Sequence, residues 1–141
     1  MQTACPINTR ILLLLVVFLA AACSPSKDKA AATAATEEFH KRFNSSAFSE
    51  IYDHAEPGVK RMQSREDFVA SMQAMRLGQG AVIDAKELAV DYNYSTDGNL
   101  IKQLYEVNYE KGIAKEEFIW TIANGRGILH SYRFLGPSPN R

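Results

Sequence analysis

Three spacings of apolar residues divide this chain. An unbroken apolar run from Ile11 to Ala22 comes first. Apolar positions three and four apart follow, to about Gly80, and strict alternation takes over from Leu88 onward. In the helical stretch Ala32, Ala35, Phe39 and Phe43 line one side, while Glu37, Glu38, Lys41 and Arg42 fill the other. Asn44-Ser45-Ser46 ends that helix. Phe48, Ile51, Tyr52 and Ala55 carry a second stripe, stopped by Pro57-Gly58. Ser64 before Arg65-Glu66-Asp67 caps a third helix, which buries Phe68, Val69, Met72 and Met75 and closes at Gly78 and Gly80.

The alternating part predicts four strands. Leu88, Val90, Tyr92 and Tyr94 alternate with polar residues up to Asp97-Gly98. The second strand, Leu100 to Tyr109, turns at Lys111-Gly112. The third, Ala114 to Ala123, turns at Asn124-Gly125, the strongest hairpin dipeptide here, into a last strand from Arg126 to Leu135. Two-residue loops at these sites pair Tyr94 with Ile101, Tyr105 with Phe118 and Trp120 with Leu129. One face then collects Leu88, Val90, Tyr92, Tyr94, Ile101, Tyr105, Val107, Phe118, Trp120, Ile122 and Leu129, and should pack on the helices. The same register sets Glu106 against Glu117, an unfavourable pairing. Helices first and a meander second predict an α+β domain, three N-terminal helices on a curved four-stranded antiparallel sheet.

The opening run is about 12 residues, short of the ~20 that cross a bilayer. Arg10 precedes it and Cys23-Ser24-Pro25 follows, the layout of an export signal. Ala20-Ala21-Ala22-Cys23, with Leu19 upstream, resembles the lipobox of bacterial lipoproteins, although Ala20 stands where leucine is usual. The resemblance implies cleavage before Cys23 and acylation of that cysteine, hence anchoring in the cell envelope. Ser24 in place of an aspartate retention signal implies the outer membrane, facing the periplasm, in a Gram-negative cell. The expected organisation is a signal peptide over 1–22, a lipidated tether over 23–29, one domain over 30–136 and a tail over 137–141. Cys5 leaves with the signal and Cys23 carries lipid, so no cysteine is left for a disulfide, a thiolate metal site or a nucleophile. Without Arg10 the chain carries 15 basic and 16 acidic side chains and no basic run, which argues against nucleic acid as a partner.

The helices-then-meander order resembles the cystatin-like and nuclear-transport-factor-2-like cone folds. Local patterns also resemble a family of small bacterial envelope proteins known only as a domain of unknown function. These are Arg65-Glu66-Asp67-Phe68, Arg76-Leu77-Gly78, Tyr105-Glu106-Val107-Asn108-Tyr109, Glu116 to Trp120, and Leu129-His130-Ser131-Tyr132-Arg133-Phe134. The resemblance implies a fold and a compartment, and no catalytic residues. Gly127-Ile128 replaces the Trp-Arg pair that usually opens the family's last strand.

Candidate chemistry is sparse. His40 reads as a surface residue on the polar side of the first helix, and His54 as a helix-end histidine. No short-spaced histidine pair suggests a metal, and no nucleophile elbow or phosphate loop is visible, so no catalytic residue, metal or cofactor is assigned. Arg133 is expected to pair with Glu116. The leading expectation is a non-enzymatic, membrane-anchored module that binds itself or an envelope protein through an outer-face stripe. Leu104, Ile119, His130 and Tyr132 mark that stripe, with Ile128 and Phe134 beside them. The alternative is a carrier of a small apolar ligand between sheet and helices, at Tyr92, Gln103, Tyr105 and Trp120. A third reading, a cone-fold enzyme, needs His130 beside Asp84.

Overall fold

The structure, a computed structural model, describes residues 24–137. The leader, Cys23 and residues 138–141 lie outside the described residues. The fold is α+β: α1 (Pro25–Asn44), α2 (Phe48–Asp53), α3 (Pro57–Met62) and α4 (Arg65–Gln79) precede an antiparallel sheet. Its strands, β1 (Val82–Ser95), β2 (Gly98–Tyr109), β3 (Gly112–Ala123) and β4 (Arg126–Pro137), lie in the order β1-β2-β3-β4.

Two helix expectations change. The polar stretch read as a tether is helical from Pro25, because proline at the first helical position fixes φ where no N–H is needed. Asp28 in that first turn suits the positive end of the helix dipole and is itself buried, accepting from Asn99 Nδ2 at 3.2 Å. Pro57 likewise opens a helix, α3, in place of the expected loop, so four helices form where three were read. The cap at Ser64 is as expected: its hydroxyl accepts from Asp67 N at 3.1 Å. Gly80 closes α4 at φ +83, and a Cβ there would meet Glu110 Cβ at 2.7 Å.

In the sheet, the β3–β4 hairpin has the predicted register, Trp120 opposite Leu129. Asn124 (φ 51) and Gly125 (φ 72) both take the left-handed conformation that a tight hairpin turn requires. The other two turns fall one residue earlier, at Thr96-Asp97 and Glu110-Lys111. Tyr92, not Tyr94, therefore faces Ile101, and Gln103, not Tyr105, faces Phe118. Each pairing moves by two residues, so the faces survive. The change removes the clash of carboxylates, since Glu106 now faces Lys115.

Bulges alter the faces where register does not. In β1, Leu88 is left without a partner between Glu87 and Ala89, so Glu87 takes the inward position opposite Tyr105. In β4, His130 is skipped between Leu129 and Ser131, which turns Tyr132 and Phe134 inward, opposite Phe118 and Glu116. The same slip gives Arg133 to Glu117 and not to Glu116. The core joins Phe39, Phe43, Phe48, Ile51, Phe68 and Met72 of the helices to Ile101, Tyr105, Val107, Phe118, Trp120 and Leu129 of the sheet. β1 contributes little: Leu88, Tyr92 and Tyr94, all expected inside, are exposed.

Candidate functional site

α1 lies along the inner face of the sheet. Its first turn meets the β1–β2 turn through Asp28 and Asn99, and its last residue, Asn44, holds Val82 at the other end. Asn44 Nδ2 donates to the Val82 carbonyl at 2.9 Å, and Val82 N donates to Asn44 Oδ1 at 2.8 Å. The helix thus divides the inner face into a flank toward β1 and a flank toward β4.

The β1 flank is polar and interlocked. Thr33, Thr36 and His40 recur at three and four residues along α1, and each reaches a partner on the sheet. The fully buried Gln103 is the hub: its Nε2 donates to Glu87 at 2.9 Å and to Thr33 at 3.2 Å, and its Oε1 accepts from Thr36 at 3.1 Å. Trp120 Nε1 donates to the same Thr36 hydroxyl at 3.0 Å. Lys29 meets Glu87 at 2.7 Å; that hydrogen bond, together with the Glu87 charge, raises the ammonium above the usual lysine value.

One helical turn further on, Glu116 is wholly buried. Its Oε2 meets His40 Nε2 at 2.7 Å, and its Oε1 accepts from the hydroxyls of Tyr132, at 2.7 Å, and Tyr109. Burial first, and the Glu116 charge second, push both phenols far up, so they remain protonated donors. Where Glu116 Oε2 accepts, His40 Nε2 is the donor of that bond. A buried carboxylate that fixes an imidazole tautomer is a device used for general bases. A groove of about 350 Å³ beside it is lined by Lys29, Thr33, His40, Glu87 and Tyr105 among others.

The β4 flank has the opposite character. Ala31, Ala34 and Ala35 form one wall, residues 123–129 of the β3–β4 hairpin form the other, and Phe39, Ile51, Trp120 and Leu129 add large apolar surface. The groove between them holds about 800 Å³. Contact is closest at Gly127, where a Cβ would lie 2.7 Å from Ala35 Cβ and 3.3 Å from the Ala31 carbonyl oxygen. Polar groups stand among the lining residues: Glu38, Arg42, His54 and Arg126. Arg42 lies 3.1 Å from Glu38.

The residues singled out from sequence are spread over these places. Of the expected ligand set, Tyr105 borders the polar groove, Gln103 lies beneath it, Trp120 lines the apolar groove, and Tyr92 is exposed on the edge strand. Of the expected outer-face stripe, Leu104 and Ile119 remain half-buried on the outer side. His130 bonds Glu56 at 2.8 Å from its bulge, and Tyr132 belongs to the interior. His130 and Asp84 are on opposite edge strands, so nothing assembles them into a site. His54 is exposed at the end of α2, as expected.

His40, Glu116 and Thr36 were missed. Alternation with Phe118 and Trp120 already sends Glu116 inward, and Thr36 and His40 lie four apart beside the Phe39 stripe. Those were the available signals. Among the described residues no cluster of ligating side chains could hold a metal ion, and no helix is long and apolar enough to cross a membrane. Comparison with protein-family models, with curated proteins and with solved structures gave no match.

Proposed function

We propose that this chain is an envelope lipoprotein, held to a bilayer through Cys23, that acts by binding and receives the apolar part of a small ligand in the groove between α1 and β4. One observation carries the reading: a groove of about 800 Å³, walled by alanines and floored by Phe39, Trp120 and Leu129. Ligand sites of roughly 300–1,000 Å³ with mostly apolar linings and a few polar groups are the usual receptacles for small molecules. Arg42, Glu38, His54 and Arg126 supply the polar groups for one charged end.

The β1 flank supports a different role. Its side chains are committed to one another, and the His40–Glu116 pair has hydroxyls nearby but no activated nucleophile within the network. We read it as a clamp that sets α1 on the sheet, not as catalytic machinery. The layout, one long helix along a bulged four-stranded meander, supports the cystatin-like or nuclear-transport-factor-2-like reading of the fold. The outer face supports self-association less well, because the inward turn of Tyr132 and Phe134 leaves Leu104, Ile119 and Ile128 without their aromatic neighbours.

Native mass spectrometry of protein taken from its own membranes tests the reading. The expected result is an added mass that persists under native conditions and is lost on denaturation. Ala34→Phe, from an exposed position on the groove wall, should abolish it while changing stability by less than about 0.5 kcal/mol. Wild-type protein without such a mass contradicts the proposal.

A further inference from the structure

We infer that the end of the domain bearing the start of α1, the β1–β2 turn and the β3–β4 turn faces the bilayer directly, with Tyr92 and Tyr94 seated among the lipid headgroups. The inference rests on Cys23 being the anchor, as proposed above. One residue, Ser24, separates Cys23 from helical Pro25, and the Ser24 carbonyl already accepts from Lys27 N at 2.9 Å and Asp28 N at 3.1 Å. Two residues of extended chain span at most about 7 Å, so an anchor at Cys23 leaves the domain no slack for tumbling above the membrane.

The surroundings of that first turn are fixed on both sides. Asp28 holds Asn99, and Asn99 pairs with Tyr94 across the β1–β2 hairpin, with Tyr92 opposite Ile101. On the other side Gly127, just past the β3–β4 turn, lies against Ala31 and Ala35. Both turns therefore share an end of the sheet with the lipid attachment point, while the β2–β3 turn and the end of α1 occupy the other.

The tyrosines suit this placement. Tyr92 is 40% exposed and Tyr94 44%, and their rings stack 6.2 Å apart. A ring with an apolar body and a polar tip is the side chain favoured at a membrane–water boundary. Exposed Lys27 and Arg126 balance Asp97 and Asp28 at the same end, so the face carries no net negative charge toward anionic headgroups. Anchoring also raises the effective concentration of the surface, which makes contacts count that are too weak to bind a free domain.

The test uses the full-length chain, processed in cells and reconstituted into vesicles of phosphatidylethanolamine and phosphatidylglycerol, with and without lipids brominated high on the acyl chain. Tyr94→Trp and Ile113→Trp, the latter at the opposite end, are compared over the native Trp120. The bromolipid should dim the added emission of Tyr94→Trp about twofold, as expected for a headgroup-level ring, and leave Ile113→Trp unchanged. Equal dimming of both, or of neither, overturns the inference. Intact mass of the same preparation reads the anchor separately. An unmodified Cys23 overturns the anchor reading and this inference with it, whereas an acylated Cys23 with equal dimming at both positions overturns this inference alone. A chain that begins beyond Cys23 overturns the inference outright.

Discussion

On the β1 flank of α1, Thr33, Thr36 and His40 each find a polar partner on the sheet. On the β4 flank, Ala31 and Ala35 close on Gly127, and Ala34 stays exposed on the wall of an apolar groove. The two flanks differ in what they demand. A buried polar group left unpaired costs about 1–3 kcal/mol, so the Gln103 and Glu116 networks tolerate only one placement of the helix. Alanine makes no such demand: its small side chain lets α1 touch the sheet at Gly127 and leaves a groove beside that contact. The polar flank therefore sets where the helix lies, and the apolar flank keeps the volume that this placement leaves over.

The largest effect that can break this comparison is at Glu116. Glu116→Leu strands the Tyr109 and Tyr132 hydroxyls and His40 in the interior, and should cost about 3–5 kcal/mol in urea unfolding. A loss no larger than that of Ala34→Phe would mean that the network is not what holds α1. Next comes Gly127→Ala. The added methyl must push Ala35 and the Ala31 carbonyl aside, which should cost about 1–3 kcal/mol and alter groove binding together with stability. The smallest effect lies on neither flank. Burial works to raise the Glu117 carboxyl on the outer face, but hydrogen bonds and charges from Arg133 and Lys102 outweigh it and hold it below the usual range. A depressed carboxylate contributes stability that is complete above its unfolded pKa and fades as the pH falls through its folded value. Acid titration of unfolding should therefore show a modest loss below the ordinary glutamate range, and Arg133→Ala should flatten it.

How much of this was legible in the sequence follows from which signals are local. Asn124-Gly125 sets a hairpin by itself, because both residues accept positive φ, and the register read from it is the one observed. Gly98 and Gly112 mark the other turns less tightly. Each follows its two-residue turn at extended positive φ, 138 and 153, and does not lie within it, hence the shift by one residue per strand. The bulges at Leu88 and His130 leave no trace in the alternation, since Leu88 keeps step with Val90 and Tyr92, and His130 with Ile128 and Tyr132. They decide whether Glu87 and Tyr132 face the interior. His40 misled for a related reason: charged neighbours make its helix side look solvated, and only Glu116, 76 residues away, turns it into a buried position.

The central claim is that the β4 flank binds and the β1 flank clamps. Amide chemical-shift mapping of the domain against a lipid extract of its own membranes tests this most directly. The account predicts shifts at Ala31, Ala34, Ala35 and residues 123–129, with Thr33, His40 and Glu87 unmoved. Shifts centred on His40, Glu87 and Tyr105 instead would contradict it.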